Sequence, residues 1–204
     1  KKKMKMGKII FMALIFMMTI IIGNENVFAE TKKVSDFAGL KAAITDASVT
    51  EITVSGEIVA TETLEVNRNI KISGGTIKAG SALISSLANN TETYRRSGNI
   101  FYVESGKSLT LKDITLDGNK QARIIFTEGG TIDLTNAILQ NGTTENFRKI
   151  EKAGKDEQNY SGGAILATLG STVDVTSGKF IDNNTGSKYL DAKRSAEGGA
   201  IKID

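Results

Sequence analysis

Three stretches decide how this chain is read: SLTLKDITLDGN at 108–119, TIDLTNAILQNG at 131–142 and TVDVTSGKFIDNN at 172–184. Laid over one another without gaps, they place Leu109, Ile132 and Val173 in one column, and Leu111, Leu134 and Val175 in a second. Leu116, Leu139 and Phe180 form a third. Apolar and polar residues alternate with a period of two, and Gly, Asn, Asp or Ser closes each run, which predicts short half-buried strands joined by tight turns. Ahead of each repeat stands another apolar pair: Ile100/Tyr102, Ile124/Phe126 and Ile165/Ala167. From Ile100 to Ile124 the step is 24 residues, close to one lap of a parallel β-solenoid. The following steps, 41 residues to Ile165 and 36 to Ile201, are that lap with a loop inserted. Strands of three to five residues suit a coil that turns three times per lap, and stacked laps bury a column of aliphatic side chains that no single lap could bury.

The same alternation runs through EITVSGEIVA (51–60), TLEVNRNIKISGGTIKA (63–79) and AIKID (200–204). The recurring Gly and Asn fit turns that need positive φ. Asn119, Asn141, Asn183 and Asn184 fall at similar places in successive laps, where amide side chains can bond up and down the stack. Before the repeats, VSDFAGLKAAITDA (34–47) changes period. Ser35 or Asp36 can cap a helix there, and Phe37, Leu40, Ile44 and Ala47 share one face. Such a helix would cover the first lap, whose core would otherwise meet water. The expected fold is all-β: a right-handed single-stranded parallel β-helix with a short N-terminal capping α-helix. Its organisation is read as a signal peptide at 1–29, an N-terminal segment with the capping helix at 30–50, and β-helix laps at 51–204. The alternation stops at Ile203-Asp204 in mid-strand, so the expectation is an N-terminal piece of a longer protein.

The leader reading rests on Lys1, Lys2, Lys3, Lys5 and Lys8, the fourteen-residue apolar run Ile9–Ile22, and Val27-Phe28-Ala29. Signal peptidase accepts small or short residues one and three positions before the cut, which points to cleavage after Ala29. The apolar run is shorter than the ~20 residues that span a bilayer. The predicted localisation is therefore secreted or cell-surface, with membrane contact only through the leader before it is cut. The initiator is read as Met4 or Met6. Of the 26 basic and 23 acidic residues, five lysines and one glutamate precede Glu30, so the remainder is one charge to the acidic side of neutral. The pI near 9 belongs to the leader, and nothing electrostatic argues for nucleic acid.

Ser35-Asp36-Phe37, Leu40, Ala43 and Ile44, followed by Ile52, Ile58, Leu64, Ile70 and Ile72 ahead of Gly74-Gly75, give residues 33–80 a likeness to a known opening. The segment resembles the start of the pectate-lyase-like adhesive domains of Gram-positive bacterial surface proteins. That resemblance implies a right-handed β-helix on a secreted or wall-anchored protein, adhesive and not a lyase. A shorter resemblance lies in Gly162-Gly163-Ala164-Ile165, Gly198-Gly199-Ala200-Ile201 and Phe180-Ile181-Asp182-Asn183, which look like the GGAI and FxxN repeats of chlamydial polymorphic membrane proteins, also β-helical surface adhesins.

The catalytic inventory is thin. Cys and His are absent, which removes thiolate chemistry and the commonest general base and transition-metal ligand. The histidine-containing segment of β-helix polysaccharide hydrolases therefore has no counterpart. A calcium-dependent lyase would need clustered carboxylates and a basic side chain. The candidates are Asp113, Asp117, Asp133, Asp174 and Asp182, which read as solvated strand and turn positions that leave room for a weak Ca²⁺ site only. Among Arg68, Arg95, Arg96, Arg123, Arg148 and Arg194, only Arg123 sits on a regular lap, and it reads as a surface side chain. No catalytic residue, metal or cofactor is assigned. The Gly-Gly pairs precede strands, not helices, so they read as turns and not as phosphate loops.

Three long insertions interrupt the laps, at 84–98, 143–161 and 184–197. All end just before the same strand of the lap, so they are expected on one side of the cylinder. Each sets an aromatic beside basic residues: Tyr94 with Arg95 and Arg96; Phe147 with Arg148 and Lys149, plus Tyr160; Tyr189 with Lys193 and Arg194. Aromatic faces pack on sugar rings and protein hot spots, and basic groups hold carboxylates or sulfates. These ten residues are the candidate binding face. The partner would be a host or extracellular-matrix glycan or protein, or a cell-wall polymer. The function expected is adhesion; the alternatives are a Ca-dependent pectate-type lyase with its active site beyond Asp204, and a structural stalk.

Overall fold

Alternating side chains with a turn residue every few positions coil the chain into five laps of three strands each. The computed structural model describes residues 30–85, 98–145, 161–185 and 198–203. The first lap holds β2 (Val49–Val54), β3 (Glu57–Ala60) and β4 (Leu64–Val66); the second β5 (Ile70–Ser73), β6 (Thr76–Ala79) and β7 (Asn99–Val103). The third holds β8 (Ser108–Lys112), β9 (Thr115–Asp117) and β10 (Arg123–Glu128); the fourth β11 (Thr131–Thr135), β12 (Ala137–Gln140) and β13 (Ile165–Thr168). The fifth is β14 (Thr172–Val175), β15 (Gly178–Ile181) and β16 (Ile201–Ile203). All pairing is parallel, and like strands stack into three sheets: β2-β5-β8-β11-β14, β3-β6-β9-β12-β15 and β4-β7-β10-β13-β16. This is a parallel β-helix, right-handed as parallel crossovers within one sheet are.

In the first and second sheets the repeats pair as their sequences align. Leu109, Ile132 and Val173 share a rung, as do Leu116, Leu139 and Phe180. The third sheet corrects the alignment by one residue. Phe101 pairs with Ile125, Ile125 with Ile165 and Ile165 with Ile201, so the fourth-lap step is 40 residues and Ile124 does not face Ile165. A one-residue slip exchanges the two faces of a strand. Phe101, Val103 and Ile125 consequently join Ile165 and Ala167 in the core, in one cluster with Ile100 and Ile124, whereas Tyr102, Phe126 and Leu166 form a second buried cluster on the opposite face. The Tyr102 and Phe126 rings lie 5.7 Å apart. Through laps two to four, the third sheet is thus buried on both faces.

The cap forms much as the sequence predicts. Helix α1 (Phe37–Thr45) starts at Asp36, not Ser35: the Asp36 side chain accepts from the Gly39 amide at 2.8 Å. It ends earlier than expected because Asp46 turns out of the helix and accepts from Ser48 N at 3.0 Å and Ser48 Oγ at 2.7 Å. Ala47 is therefore exposed and Ala43 takes its place beside Leu40 and Ile44 against the first lap. Arg68, from the turn after β4, donates through Nε to Ile44 O at 2.7 Å, through Nη2 to Ala43 O at 2.9 Å, and to Val49 O. One guanidinium so satisfies the last carbonyls of α1 and fastens them to the lap. A strand that the sequence did not announce, β1 (Glu30–Val34), pairs with β2 and extends the first sheet. A second short helix, α2 (Ser81–Ser85), follows β6.

Candidate functional site

The three insertions start and end at one corner, between the second and third sheets. The chain passes from β6 to β7, from β12 to β13 and from β15 to β16 across that corner, and β9 reaches β10 with only Gly118–Ala122 between them. Tyr94, Arg95, Arg96, Phe147, Arg148, Lys149, Tyr160, Tyr189, Lys193 and Arg194 all lie outside the described residues. What is described is the platform from which they arise, including an isolated parallel bridge between Thr143 and Asn184 that joins two of its edges.

That platform is built from backbone packed without side chains and from asparagines that span laps. At Gly118, an added Cβ would lie 2.6 Å from Gly142 Cα; at Gly142 it would collide with Gly163 O, and at Gly163 with Gly199 O. Gly118 against Gly142 and Gly163 against Gly199 bring successive laps main chain to main chain, and Gly142 against Gly163 closes the fourth lap on itself where its insertion starts and ends, so the four residues form one column. In the motif Gly162-Gly163 the first residue has φ of 63° and the second fills the column, which gives both glycines a structural role. Asn119 Nδ2 donates to Ala79 O at 3.0 Å, Asn141 Nδ2 to Asp117 Oδ1 at 3.1 Å and Asn183 Nδ2 to Leu139 O at 2.9 Å. Each bond runs to the lap before.

Burial of polar groups singles out this corner. The buried polar or charged residues among those described are Asn99, Arg123, Thr127, Thr143, Thr144, Ser161 and Thr168; five of these seven, Asn99, Arg123, Thr143, Thr144 and Ser161, belong to this corner. Arg123 is the surprise, since the sequence reading placed it on the surface. It is 1% exposed. Its Nε donates to Ser161 O at 3.2 Å and Gly162 O at 3.1 Å, Nη2 to Ser161 O at 2.9 Å, and Nη1 to Asn99 Oδ1 at 3.2 Å. The guanidinium carbon sits 5.8 Å from the centre of the Phe126 ring. Desolvation pulls its pKa down to about 9, which leaves it charged at neutral pH. A guanidinium so enclosed is a strut and has no free face for substrate. The signal that could have exposed it is a charged residue one position ahead of the continuous apolar run Ile124–Phe126.

The aspartates do not converge. Asp113 accepts from Asn136 Nδ2 at 2.7 Å; Asp117 accepts from Asn119 N at 2.7 Å and Gln140 Nε2 at 2.8 Å; Asp133 accepts from Thr110 Oγ1 at 3.3 Å and pairs in register with Asp174. Asp182 occupies a turn with φ of 51°. Among the described residues, no group of three or more acidic, histidine or cysteine side chains gathers where it could hold a metal ion. Also among these residues, no helix is long and apolar enough to cross a membrane.

A helix-capped parallel β-solenoid, chemically plain along its sheets and elaborated at one corner, defines the class of this protein. The chain belongs to the pectate lyase-like adhesive domain family, whose model matches residues 31–188. No curated protein and no solved structure matches it significantly.

Proposed function

We propose that the chain is an exported adhesive domain that holds a glycan or protein of the cell exterior against the corner between its second and third sheets. Membership of an adhesive family supports an adhesive role at a cell surface in general. The observation that carries the finer reading is the shared origin of the three insertions. Each starts and ends at the corner where the glycine column and the lap-spanning asparagines fix the backbone. On this reading Tyr94, Phe147, Tyr160 and Tyr189 supply flat apolar contact, while Arg95, Arg96, Arg148, Lys149, Lys193 and Arg194 take sulfate or carboxylate groups. The leader at 1–29 directs export, and cleavage after Ala29 would leave Glu30, the first residue of β1, as the new N-terminus.

The test is attachment of the secreted protein to surfaces coated with heparin, hyaluronan or matrix protein, compared with a variant carrying R95A, R96A, R148A and R194A. Saturable attachment that falls at least about tenfold in the variant supports the reading, as removal of several charge-assisted contacts should. Undiminished attachment by a folded variant overturns it. Incubation with polygalacturonate and Ca²⁺ separates adhesion from catalysis, because a lyase generates unsaturated uronides that absorb in the ultraviolet and an adhesin does not.

A further inference from the structure

Arg123 belongs to the third lap, which crosses the insertion corner with the short turn Gly118–Ala122. Its side chain, however, serves the laps on either side. Toward the second lap it reaches Asn99, the first residue of β7, where the chain returns from the first insertion. Toward the fourth lap it reaches the carbonyls of Ser161 and Gly162, where the chain returns from the second. We infer that Arg123 is the positioning residue of the insertion corner, a three-lap staple that fixes where two of the three insertions re-enter the cylinder. The ligand-binding part of this inference rests on the adhesive reading above; the stapling part does not.

The chemistry favours arginine over any other cation. The planar guanidinium offers five N–H donors in a fixed fork, and three acceptors on two different laps are met here at once by Nε, Nη1 and Nη2. An ammonium group is a compact point charge on a flexible stem and cannot span that set. A buried cation lowers stability unless it is fully bonded, so its burial at this corner argues for a role in fixing geometry. The neighbours agree. Asn99, Thr143, Thr144 and Ser161 are all buried polar residues, and Thr143 N donates to Ala122 O at 2.9 Å, one residue from Arg123.

The experiment compares wild type with Arg123→Lys, which keeps the charge and loses the fork. Backbone amide exchange is followed by mass spectrometry on peptides covering 98–103 and 161–168 at the corner, and 108–112 and 131–135 in the first sheet, alongside attachment to heparin. The expected result is exchange about tenfold faster or more at both corner peptides, first-sheet exchange within about twofold, and weakened attachment. Unchanged exchange at the corner, or a uniform rise in all four peptides, overturns the staple. Should Arg123→Lys fail to fold, Asn99→Ala takes its place: it removes one acceptor, and faster exchange confined to 98–103 is expected, with no local change counting against the proposal. If wild type binds no heparin, hyaluronan or matrix protein, the adhesive reading fails while the exchange data still decide the role of Arg123.

Discussion

Replacing Gly118 with Ala is the sharpest test of the backbone column, because Gly118 adopts no positive φ and the new methyl group meets only a steric obstacle. The added Cβ would lie 2.6 Å from Gly142 Cα and 2.7 Å from both Ala122 O and Asn141 O. Ordinary contact begins near 3.4 Å, so the shortfall is most of an ångström against three main-chain atoms, two of them on the next lap. Relief requires the third and fourth laps to part at this corner. That would stretch Gly118 N to Gln140 O, now 2.8 Å, and Lys120 N to Asn141 O, now 2.9 Å. Overpacking costs ~1–3 kcal/mol. Two weakened hydrogen bonds add ~1 kcal/mol each. The smaller entropy of the unfolded chain returns ~0.4–1 kcal/mol. The net loss is about 3 kcal/mol, or roughly 6–12 °C in melting temperature for a domain of this size. Gly106→Ala is the control: its φ is 71° but nothing lies within 4 Å of the added Cβ, so only the left-handed backbone is penalised, by ~1–2 kcal/mol. Urea unfolding followed by far-UV circular dichroism measures both. If Gly118→Ala is no less stable than Gly106→Ala, the laps are not in main-chain contact at this corner and the argument fails.

Arg68→Met removes the donors that satisfy Ala43, Ile44 and Val49 carbonyls; a loss of about 2 kcal/mol is expected, with amide exchange in α1 rising before that of the later laps, and a cost below ~0.5 kcal/mol would show the cap held by apolar packing alone. Phe101→Ala empties a fully buried site on the rung shared with Leu64 and Ile125 and should cost ~3–5 kcal/mol in urea unfolding, whereas a cost near 1 kcal/mol would mean that the column collapses around the gap. Hydrogen bonds from Ser48 Oγ and Ser48 N, then the positive charges of Lys32 and Arg68, hold the Asp46 carboxyl below its usual value of 3.8. A depressed folded-state pKa gives stability that is complete above the unfolded pKa and is lost as pH falls through the folded one. Stability of Asp46→Asn should therefore decline less steeply than wild type below about pH 4, and parallel acid limbs would refute the assignment.

How far the fold was legible depends on the sheet. The first two sheets alternate cleanly, as in Leu109-Thr110-Leu111 and Ile132-Asp133-Leu134, so parity is visible and the repeats pair as aligned. The third sheet reads Ile100-Phe101-Tyr102-Val103 and Ile124-Ile125-Phe126, apolar at both parities because both faces are buried. No period of two survives there, and the alignment slipped by one residue at the fourth lap. Strand β1 was invisible for the opposite reason: Glu30, Thr31, Lys32 and Lys33 are all exposed, and a charged edge strand has neither alternation nor burial to betray it. The early stop of α1 turns on Asp46 bonding to Ser48 instead of continuing the helix, a local competition that helical spacing alone does not weigh.

The corner was legible in position and not in construction. Lap arithmetic alone places the insertions before one strand, since surplus residues in a 24-residue step must leave the coil somewhere. The staple is different: Arg123 meets acceptors 24, 38 and 39 residues away, and no local pattern encodes partners at such distances. Its existence bears on the choice between an adhesive face and a plain stalk. A spacer needs only a repeatable lap, and the third lap shows that this corner can be closed by the five residues Gly118–Ala122. The fourth lap instead carries a long insertion, and the polar groups buried around it, Asn99, Arg123, Thr143, Thr144 and Ser161, must each be individually satisfied. Such groups give stability less cheaply than aliphatic side chains would, and what they add is a defined geometry. A defined geometry at the base of the insertions is what a binding face requires and what a stalk does not.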